Sequence, residues 1–249
     1  MGRKPQGLLL AVASLVGCSV SAQDGSPSGG DASDAARQRM VTQQIAGRGV
    51  RDERVLDAMR RVPRHELVPE NVRDDAYADR ALPIGMGQTI SQPYVVGFMS
   101  EALDLQPGEK VLEVGTGSGY QAAVLVAMGA RVFTIEYVPE LAERAARDLA
   151  RIGFSPEAAR AGDGYGGWPE HAPFDAIVVT AAPDHVPPAL IEQLAVGGRM
   201  VLPVGDFQQE LVLLRRTEDG VQREDLIGVR FVPMRGEAEE TEPPERPDE

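Results

Sequence analysis

The segment at 111–120, with the sequence VLEVGTGSGY, constrains the fold of this chain more than any other part of it. Its first four residues form an apolar run of the kind found in buried strands, and the run leads directly into Gly115, Gly117 and Gly119. Because glycine has no Cβ, the backbone can turn sharply at these positions and come very close to a ligand. The segment therefore predicts a strand followed by a tight turn that can serve as a binding site.

The residues after this turn add two features of a nucleoside site. An apolar helix pattern at 121–128 is followed by a strand at 132–135, which ends in Glu136. A carboxylate at such a strand end can hydrogen-bond to both hydroxyls of a ribose. Tyr120 occupies the position of the third glycine in a dinucleotide fingerprint, which indicates a ligand with a ribose and no pyrophosphate. S-adenosylmethionine is a ligand of that kind, and a tight turn without any ligand is the alternative.

Strand and helix patterns alternate from residue 111 onward. Beyond the two strands already named, strands are predicted near 159–161, 174–180, 200–204, 211–215 and 229–232, with helices near 139–149 and 188–194. This alternation predicts an α/β fold with a doubly wound, largely parallel sheet, which the strands at 211–215 and 229–232 close as an antiparallel pair. Ligands of such sheets bind at the carboxyl ends of the strands, where the glycine turn, Glu136 and Asp163 all fall.

The part of the chain before this sheet shows two helix patterns and one irregular stretch. Asp34 and Asp52 are placed to cap the two helices. The segment at 82–94 has no periodicity and combines proline, glycine and hydroxyl residues. A segment of that composition just before a nucleoside-binding sheet is a candidate lid or substrate loop.

Composition limits the class of partner and divides the chain into three parts. The formal net charge is −13, which argues against a nucleic-acid partner because phosphate binding needs clustered lysine and arginine. Residues 237–249 hold seven acids and one arginine together with three prolines, and we expect a disordered acidic tail there. We therefore expect a leader and flexible tether at 1–33, a folded domain at 34–236 and the tail at 237–249.

The N-terminal segment has the form of a bacterial export signal. Arg3 and Lys4 precede an apolar run at 7–17 that is too short to span a bilayer, and the run ends at Cys18 in a sequence that resembles a lipobox. Export through a leader at 1–17, with a lipid anchor on Cys18, is one hypothesis. Translation from Met40 is the other, and it is favoured because S-adenosylmethionine is made in the cytoplasm.

Several long runs resemble one known family, the protein-L-isoaspartate O-methyltransferases, over roughly residues 40–235. Besides the glycine turn, the matching runs include VPRH at 62–65, GQTISQPY at 87–94, GDG at 162–164, APFDAI at 172–177 and RFVP at 230–233. The run around Ser91 is the specific part, since other methyltransferases share the glycine turn without it. The resemblance implies a Rossmann-like methyltransferase sheet.

The resemblance also implies roles for individual residues. Ser91 is the expected catalytic residue, placed between the methyl donor and the substrate carboxylate. The expected contacts to S-adenosylmethionine come from the loop, the glycine turn, two strand ends and the last-strand region: Thr89, Ile90, Gly115, Thr116, Gly117, Ser118, Gly119, Glu136, Asp163, Gly164 and Gln209. No metal is implied, and the scattered histidines suggest none.

The implied reaction is transfer of a methyl group to the free α-carboxylate of L-isoaspartyl residues in proteins and peptides. A monomeric, cytoplasmic enzyme without a nucleic-acid partner is the corresponding expectation, with membrane attachment only if Cys18 is lipidated. Two alternatives stay open at this point. One is a methyltransferase with another carboxylate acceptor, and the other is an exported lipoprotein that keeps the fold as a binding module.

Overall fold

A computed structural model of the chain describes residues 1–2 and 29–239. The predicted lipid-anchor site Cys18, most of the leader and the end of the acidic tail lie outside the described residues. In the described part, α1 begins at Gly29, and a short 3₁₀ turn, Glu237–Glu239, is the last element, with Ala238 buried. Both boundaries extend beyond the domain limits expected from the sequence.

The described residues form an alternating series of helices and strands. The helices are α1 (Gly29–Arg39), α2 (Glu53–Arg61), α3 (Pro93–Ala102), α4 (Tyr120–Ala127), α5 (Pro139–Ile152) and α6 (Pro188–Gln193). The strands are β1 (Leu82–Gly85), β2 (Gln88–Ile90), β3 (Lys110–Val114), β4 (Arg131–Glu136), β5 (Ala158–Ala161), β6 (Phe174–Val179), β7 (Leu194–Val204), β8 (Gln209–Thr217) and β9 (Gly220–Val229). Within these residues, no helix combines the length and the apolar character that crossing a bilayer requires.

A seven-stranded sheet in the order β5-β4-β3-β6-β7-β8-β9 forms the centre of the described fold. The five strands from β5 to β7 pair in parallel, and β8 and β9 add two antiparallel pairings at one edge. The predicted doubly wound sheet with a closing antiparallel pair is thus confirmed. The predicted last strand was wrong, because β9 is Gly220–Val229 and residues 230–232 follow it without strand pairing.

Apolar side chains cover both faces of this sheet, as expected for parallel strands with helices on either side. Val111 and Val132 face one cluster, which includes the buried side of α4, while Leu112 and Phe133 face the other. All four are at most 3% exposed. Side chains thus cover both faces of β3 and β4. A ligand can approach the backbone of these strands at their carboxyl ends.

The N-terminal helices differ from the sequence prediction at their start. α1 begins at Gly29 rather than after a cap at Asp34, and it continues into a π-helical turn, Met40–Ile45. Arg37 is nearly buried and donates a hydrogen bond of 2.6 Å to the carbonyl oxygen of Arg60 at the end of α2. Met40 itself lies in the core at 1% exposure, so a chain that started there would lose the helix that holds it.

The segment predicted to be an irregular loop is a β-hairpin instead. β1 and β2 pair antiparallel, with Leu82 opposite Ile90. Met86 and Gly87 both adopt positive φ angles, 54° and 73°, which are typical of a tight hairpin turn. The pattern was missed because both strands are very short and β1 contains proline and glycine. The hairpin delivers Ser91 to the start of α3.

The predicted cap of α2 is present and can be tested. Asp52 accepts a hydrogen bond of 2.8 Å from the Arg54 backbone N–H and also pairs with the Arg54 guanidinium. We expect Asp52→Ala to lower the free energy of unfolding by about 1 kcal/mol and Asp52→Asn by a few tenths, since asparagine caps equally well. Urea denaturation measures both values. An equal loss in the two variants would mean that the ion pair, rather than the cap, stabilises α2.

Candidate active site

A cavity lies at the carboxyl ends of β3, β4 and β6, and we call it the glycine cavity. Its walls include Gly115, Gly117, Glu136, Gly164 and Thr180. Of the expected cofactor contacts, Thr89, Ile90, Thr116 and Ser118 also line it, together with Ser91. The structure therefore brings most of the residues predicted from the sequence to one place.

The glycine turn has the tight geometry that its sequence predicts. Gly115, Gly117 and Gly119 have φ angles of +99°, +53° and +83°, a region that disfavours other residues. A Cβ on Gly115 would lie 2.4 Å from the Thr180 hydroxyl oxygen, and one on Gly119 would lie 2.9 Å from the Leu149 side chain. These two glycines let β3 and α4 pack against their neighbours, so Gly119 supports the turn without lining the cavity.

Glu136 closes the turn from the end of β4. Its side chain is 5% exposed and accepts hydrogen bonds from the backbone N–H groups of Gly117, at 2.7 Å, and Val138, at 3.0 Å. Each carboxylate oxygen keeps lone pairs for a further donor. The bond to Gly117 fixes the middle of the glycine turn, and the carboxylate remains part of the cavity wall.

The hairpin forms the opposite wall of this cavity. Arg144 on α5 donates a hydrogen bond of 2.6 Å to the Ile84 carbonyl, which anchors the hairpin to the main sheet. The Ile84 side chain and the Thr89 carbonyl lie 3.6 and 4.0 Å from the position that a Cβ on Gly117 would take. Ser91, half-buried, follows directly after β2. The tertiary contact with α5 therefore positions the predicted catalytic hydroxyl next to the glycine turn.

A second cavity lies beside the first, and we call it the β8–β9 cavity. It is lined by residues 207–210 around the start of β8, by 227–232 at the end of β9, and by Arg48, Tyr94 and Gln92. Thr89, Ser91, Thr180 and Val232 line both cavities. Two ligands placed in the two cavities would therefore meet at Ser91 and Thr180.

Thr180 was not among the predicted site residues. It follows β6, and its hydroxyl donates a hydrogen bond of 2.5 Å to the Gly115 carbonyl. The signal was available in the sequence, because position 180 ends a buried strand in the same way as Gly115 and Glu136 do. Its position at the junction of the two cavities could be seen only in the fold.

Asp163 and Gly164 lie after β5, and Asp163, although an expected cofactor contact, does not line the glycine cavity. Gly164 lines the cavity, and a Cβ there would lie 2.4 Å from Val114, so the chain needs glycine for this approach. Asp163 accepts hydrogen bonds from the backbone N–H groups of Tyr165, at 2.8 Å, and Glu237, at 2.7 Å. Its carboxylate thus ties the C-terminal segment to the site, a role that the sequence did not indicate.

Gln209 lies away from the glycine cavity, in contrast to its expected role as a cofactor contact. Its side chain accepts a hydrogen bond of 2.6 Å from the Phe231 N–H and donates one of 3.2 Å to the Phe231 carbonyl. It lines the β8–β9 cavity. The reason is its position at the start of β8, which pairs antiparallel to β7, so that this end of the strand joins the wall of the second cavity.

A chain of hydroxyl groups leads from the glycine turn to a buried acid. The hydroxyls of Thr116 and Thr134 lie 2.5 Å apart, and Thr134 donates a hydrogen bond of 2.5 Å to Glu113 in β3. Glu113 is fully buried, and burial raises its pKa to about 8. Its other oxygen has no hydrogen-bond partner among the residues that the structure describes. A buried neutral acid therefore supports the turn from behind.

Comparison with known proteins identifies the family. The family model described as protein-L-isoaspartate(D-aspartate) O-methyltransferase matches residues 35–239. The chain belongs to the protein-L-isoaspartate O-methyltransferase family. A protein-L-isoaspartate O-methyltransferase of Picosynechococcus sp. is 54% identical over 206 residues, which are 83% of this chain and 93% of that protein. One from Gloeobacter violaceus is 56% identical over 197 residues, covering 78% and 96% of the two chains.

Solved structures agree with this assignment. A protein-L-isoaspartate O-methyltransferase superposes with a TM-score of 0.74 at 30% identity, covering 80% of this chain and 66% of that one. A putative member from Plasmodium falciparum, in complex with S-adenosyl-L-homocysteine, gives a TM-score of 0.70 at 24% identity and supports the fold. It covers 80% of this chain and 98% of the Plasmodium chain.

The family assignment confirms the reaction predicted from the sequence. The chain is an S-adenosylmethionine-dependent methyltransferase that acts on isoaspartyl residues of proteins. The alternative of a binding module without activity is not favoured. Among the described residues, no group of three or more histidine, cysteine or acidic side chains is placed to hold a metal ion.

The buried acid behind the turn predicts a pH dependence of stability. From about pH 4.5 to pH 8 the folded chain keeps a proton on Glu113 that the unfolded chain has lost, so stability falls as the pH rises through this window. Glu113→Gln removes this effect. We expect the variant to gain stability relative to the parent chain by the order of 1 kcal/mol per pH unit across the window.

Urea denaturation at a series of pH values from about 5 to 9 measures this difference. The gap between the two proteins should widen up to about pH 8 and then level off. A gap that stays constant with pH would show that Glu113 does not change its protonation state there.

Proposed function

We propose that the glycine cavity holds S-adenosylmethionine, that the β8–β9 cavity holds the isoaspartyl residue, and that the methyl group passes between them beside Ser91. The observation that carries this proposal is the set of four residues, Thr89, Ser91, Thr180 and Val232, that line both cavities. A methyl transfer needs donor and acceptor in contact and water kept away from the reacting atoms. Adjacent cavities with a shared wall provide that arrangement.

The glycine cavity fits the methyl donor on the basis of its own residues. Gly117 leaves space at the centre of the turn, since a Cβ there would point toward Ile84 across the cavity. Glu136 offers a carboxylate at a strand end, suited to two ribose hydroxyls. Gly164 lines the cavity and lets the chain after β5 approach Val114 closely. When bound, S-adenosylmethionine supplies a methyl group on a positively charged sulfur.

The acceptor needs no general base. The free α-carboxylate of an isoaspartyl residue has a reference pKa of roughly 3.3–3.7 and is ionised at neutral pH. A carboxylate oxygen forms the new bond to the methyl carbon, while the bond from that carbon to sulfur breaks and its electron pair stays on sulfur. The enzyme must then mainly hold the two atoms in line, which is worth up to about 7–11 kcal/mol.

Ser91 suits this task because its hydroxyl is neutral. As a single hydrogen-bond donor it orients the carboxylate without binding it so tightly that the reactant is stabilised more than the transition state. The Thr180 hydroxyl donates its hydrogen bond to the Gly115 carbonyl. Thr180 therefore shapes the junction of the two cavities rather than binding the carboxylate. Of these two junction hydroxyls, we assign the substrate carboxylate to Ser91.

The product explains why the reaction starts a repair. Methylation converts a charged carboxylate into a neutral ester with a better leaving group. The following backbone nitrogen then attacks the ester carbonyl, methanol leaves, and a succinimide forms. Hydrolysis of that ring gives normal aspartate in part, so later cycles can convert the remainder.

We also propose that the enzyme works as a monomer in the cytoplasm. The supply of S-adenosylmethionine supports this location, since the co-substrate is made there. The alternative is an exported protein anchored at Cys18. Detection of acylated Cys18 in a membrane fraction would decide for the anchored form.

The decisive test uses the full chain and two peptides of the same composition. One peptide carries an L-isoaspartyl residue and the other a normal aspartyl residue at the same position. We expect transfer of the tritiated methyl group from S-adenosylmethionine to the isoaspartyl peptide, as a base-labile ester. We expect no transfer to the aspartyl peptide. Equal labelling of both peptides would show an acceptor specificity different from the one proposed.

Removal of the Ser91 hydroxyl should weaken the chemistry and leave binding of the methyl donor intact. A hydrogen bond to a charged group contributes about 1.5–3 kcal/mol, so Ser91→Ala should lower kcat/KM for the isoaspartyl peptide by about tenfold to about a hundredfold. Ser91→Thr retains a hydroxyl and serves as the matched control. Unchanged kcat/KM in Ser91→Ala, with the peptide still methylated, would remove Ser91 from the mechanism.

Replacement of Glu136, in contrast, should weaken binding of the methyl donor. Glu136→Gln can no longer accept from the Gly117 and Val138 N–H groups and from two ribose hydroxyls together, so we expect S-adenosylmethionine to bind about tenfold more weakly, or about 1.4 kcal/mol. Glu140→Gln, an exposed acid on the first turn of α5, is the control. Isothermal titration calorimetry gives both affinities. The same affinity in both variants would contradict the ribose role.

A further inference from the structure

Phe207 lies almost completely exposed, at 98%, in the turn between β7 and β8. A phenylalanine side chain presents a large apolar area, and its contact with water is unfavourable. Of the exposed large apolar side chains in residues 29–239, none other reaches this value; Val196 is next at 59%. A single exposed apolar side chain needs no explanation by itself, and it indicates a binding surface where further apolar groups continue from it.

The turn that carries Phe207 is held in place by specific contacts. Gly205 has a φ angle of +124°, and a Cβ there would lie 2.1 Å from the Gln208 carbonyl oxygen, so the turn requires glycine. The Gly205 N–H donates a hydrogen bond of 2.9 Å to the Pro183 carbonyl. On the other side, the Gln209 amide bonds to the Phe231 backbone. The backbone on both sides of Phe207 is therefore held in place, and the ring projects from it.

Phe207 lines the β8–β9 cavity, whose inner end is Ser91. Apolar groups continue along this wall: Tyr94, Val95, Ile227 and Phe231 all line the same cavity. The exposed ring is thus continuous with the proposed acceptor site and does not form an isolated surface feature.

The charged groups of this cavity are of mixed sign. Arg48 lies over the Tyr94 ring, 3.6 Å from its centre, and forms an ion pair of 3.0 Å with Asp79. Arg230 and Glu210 line the same cavity with opposite charges. Charge therefore favours neither acidic nor basic substrates, and the apolar surface is the feature that can select between polypeptides.

We propose that Phe207 determines substrate specificity by binding an apolar side chain that neighbours the isoaspartyl residue in the substrate polypeptide. This inference rests on the proposed function of the β8–β9 cavity as the acceptor site. An isoaspartyl residue itself offers one carboxylate and little apolar area. A neighbouring leucine or aromatic side chain that covers Phe207 adds apolar burial at a distance from the reacting atoms.

A contact of this kind has a defined kinetic consequence. Because Phe207 does not touch the reacting carboxylate, it stabilises the bound substrate and the transition state equally. Its effect should therefore appear in KM and leave kcat unchanged. A residue that merely supported the fold of the site would lower kcat for every substrate alike.

The test uses the full chain and a set of isoaspartyl peptides. The reference peptide has glycine at the two positions on each side of the isoaspartyl residue, and four further peptides place one leucine at each of these positions in turn. Each peptide is assayed with the parent chain, Phe207→Ala and Phe207→Leu. Val196→Ala removes an exposed apolar side chain that lines none of the cavities described above and is the control. The affinity for S-adenosylmethionine and the melting temperature are measured for every variant.

We expect leucine at one or more positions to lower KM for the parent chain about tenfold, equivalent to about 1.4 kcal/mol. Phe207→Ala should abolish that gain, so that the leucine peptides and the reference peptide have the same KM. Phe207→Leu should retain most of it, and Val196→Ala should behave as the parent.

Two results would overturn the inference while the proposed function stands. One is that the parent methylates the reference peptide but gains nothing from leucine at any position. The other is an equal loss for all five peptides in Phe207→Ala. If the parent methylates none of the peptides and still binds S-adenosylmethionine, the proposed function itself fails, and this inference fails with it.

Discussion

The close packing of the glycine turn between β3 and α4 is the constraint on which the rest of the site depends. A Cβ on Gly115 would collide with Thr180, and one on Gly119 would collide with Leu149, so the turn brings β6 and α5 against the same few backbone atoms. Glu136 adds the third connection through its bond to the Gly117 N–H. Because β3 lies between β4 and β6 in the sheet, each neighbour contributes one group to the turn. The order of the strands in the sheet therefore determines the geometry of the glycine turn.

In the proposed arrangement, the hairpin of β1 and β2 adds an acceptor site to the glycine turn. It has no strand partner in the main sheet and is anchored through Arg144 on α5. Through that anchor, Ser91 lies at the junction of the glycine cavity and the β8–β9 cavity. In the proposed arrangement, the parallel sheet holds the donor, while the hairpin and the antiparallel edge shape the space for the acceptor.

The hydrogen-bond network behind the turn holds the turn in place without adding a buried charge. Glu113, with a raised pKa, ends a chain of two threonine hydroxyls that starts at Thr116 in the turn. A charged carboxylate at that depth would need a partner charge, which would alter the field at the methyl donor. A protonated acid fixes the hydroxyls without adding net charge. The buried acid behind the turn, Glu113, therefore adds no charge of its own next to the cavity.

The sequence by itself determined the alternating α/β sheet, the glycine turn, the strand-end carboxylate Glu136 and the family, because these depend on local patterns and on long runs such as the one around Ser91. It placed the last strand at 229–232 and missed the hairpin, since short strands with glycine or proline carry little periodicity. Gln209 was assigned to the donor site because sequence position does not show which end of an antiparallel strand faces which cavity. The tertiary structure alone decided that Thr180 joins two cavities, that Asp163 binds the C-terminal segment, and that Phe207 stands exposed at the acceptor side. These are contacts between residues far apart in the chain, and they depend on how the strands order and pack, which no local pattern specifies.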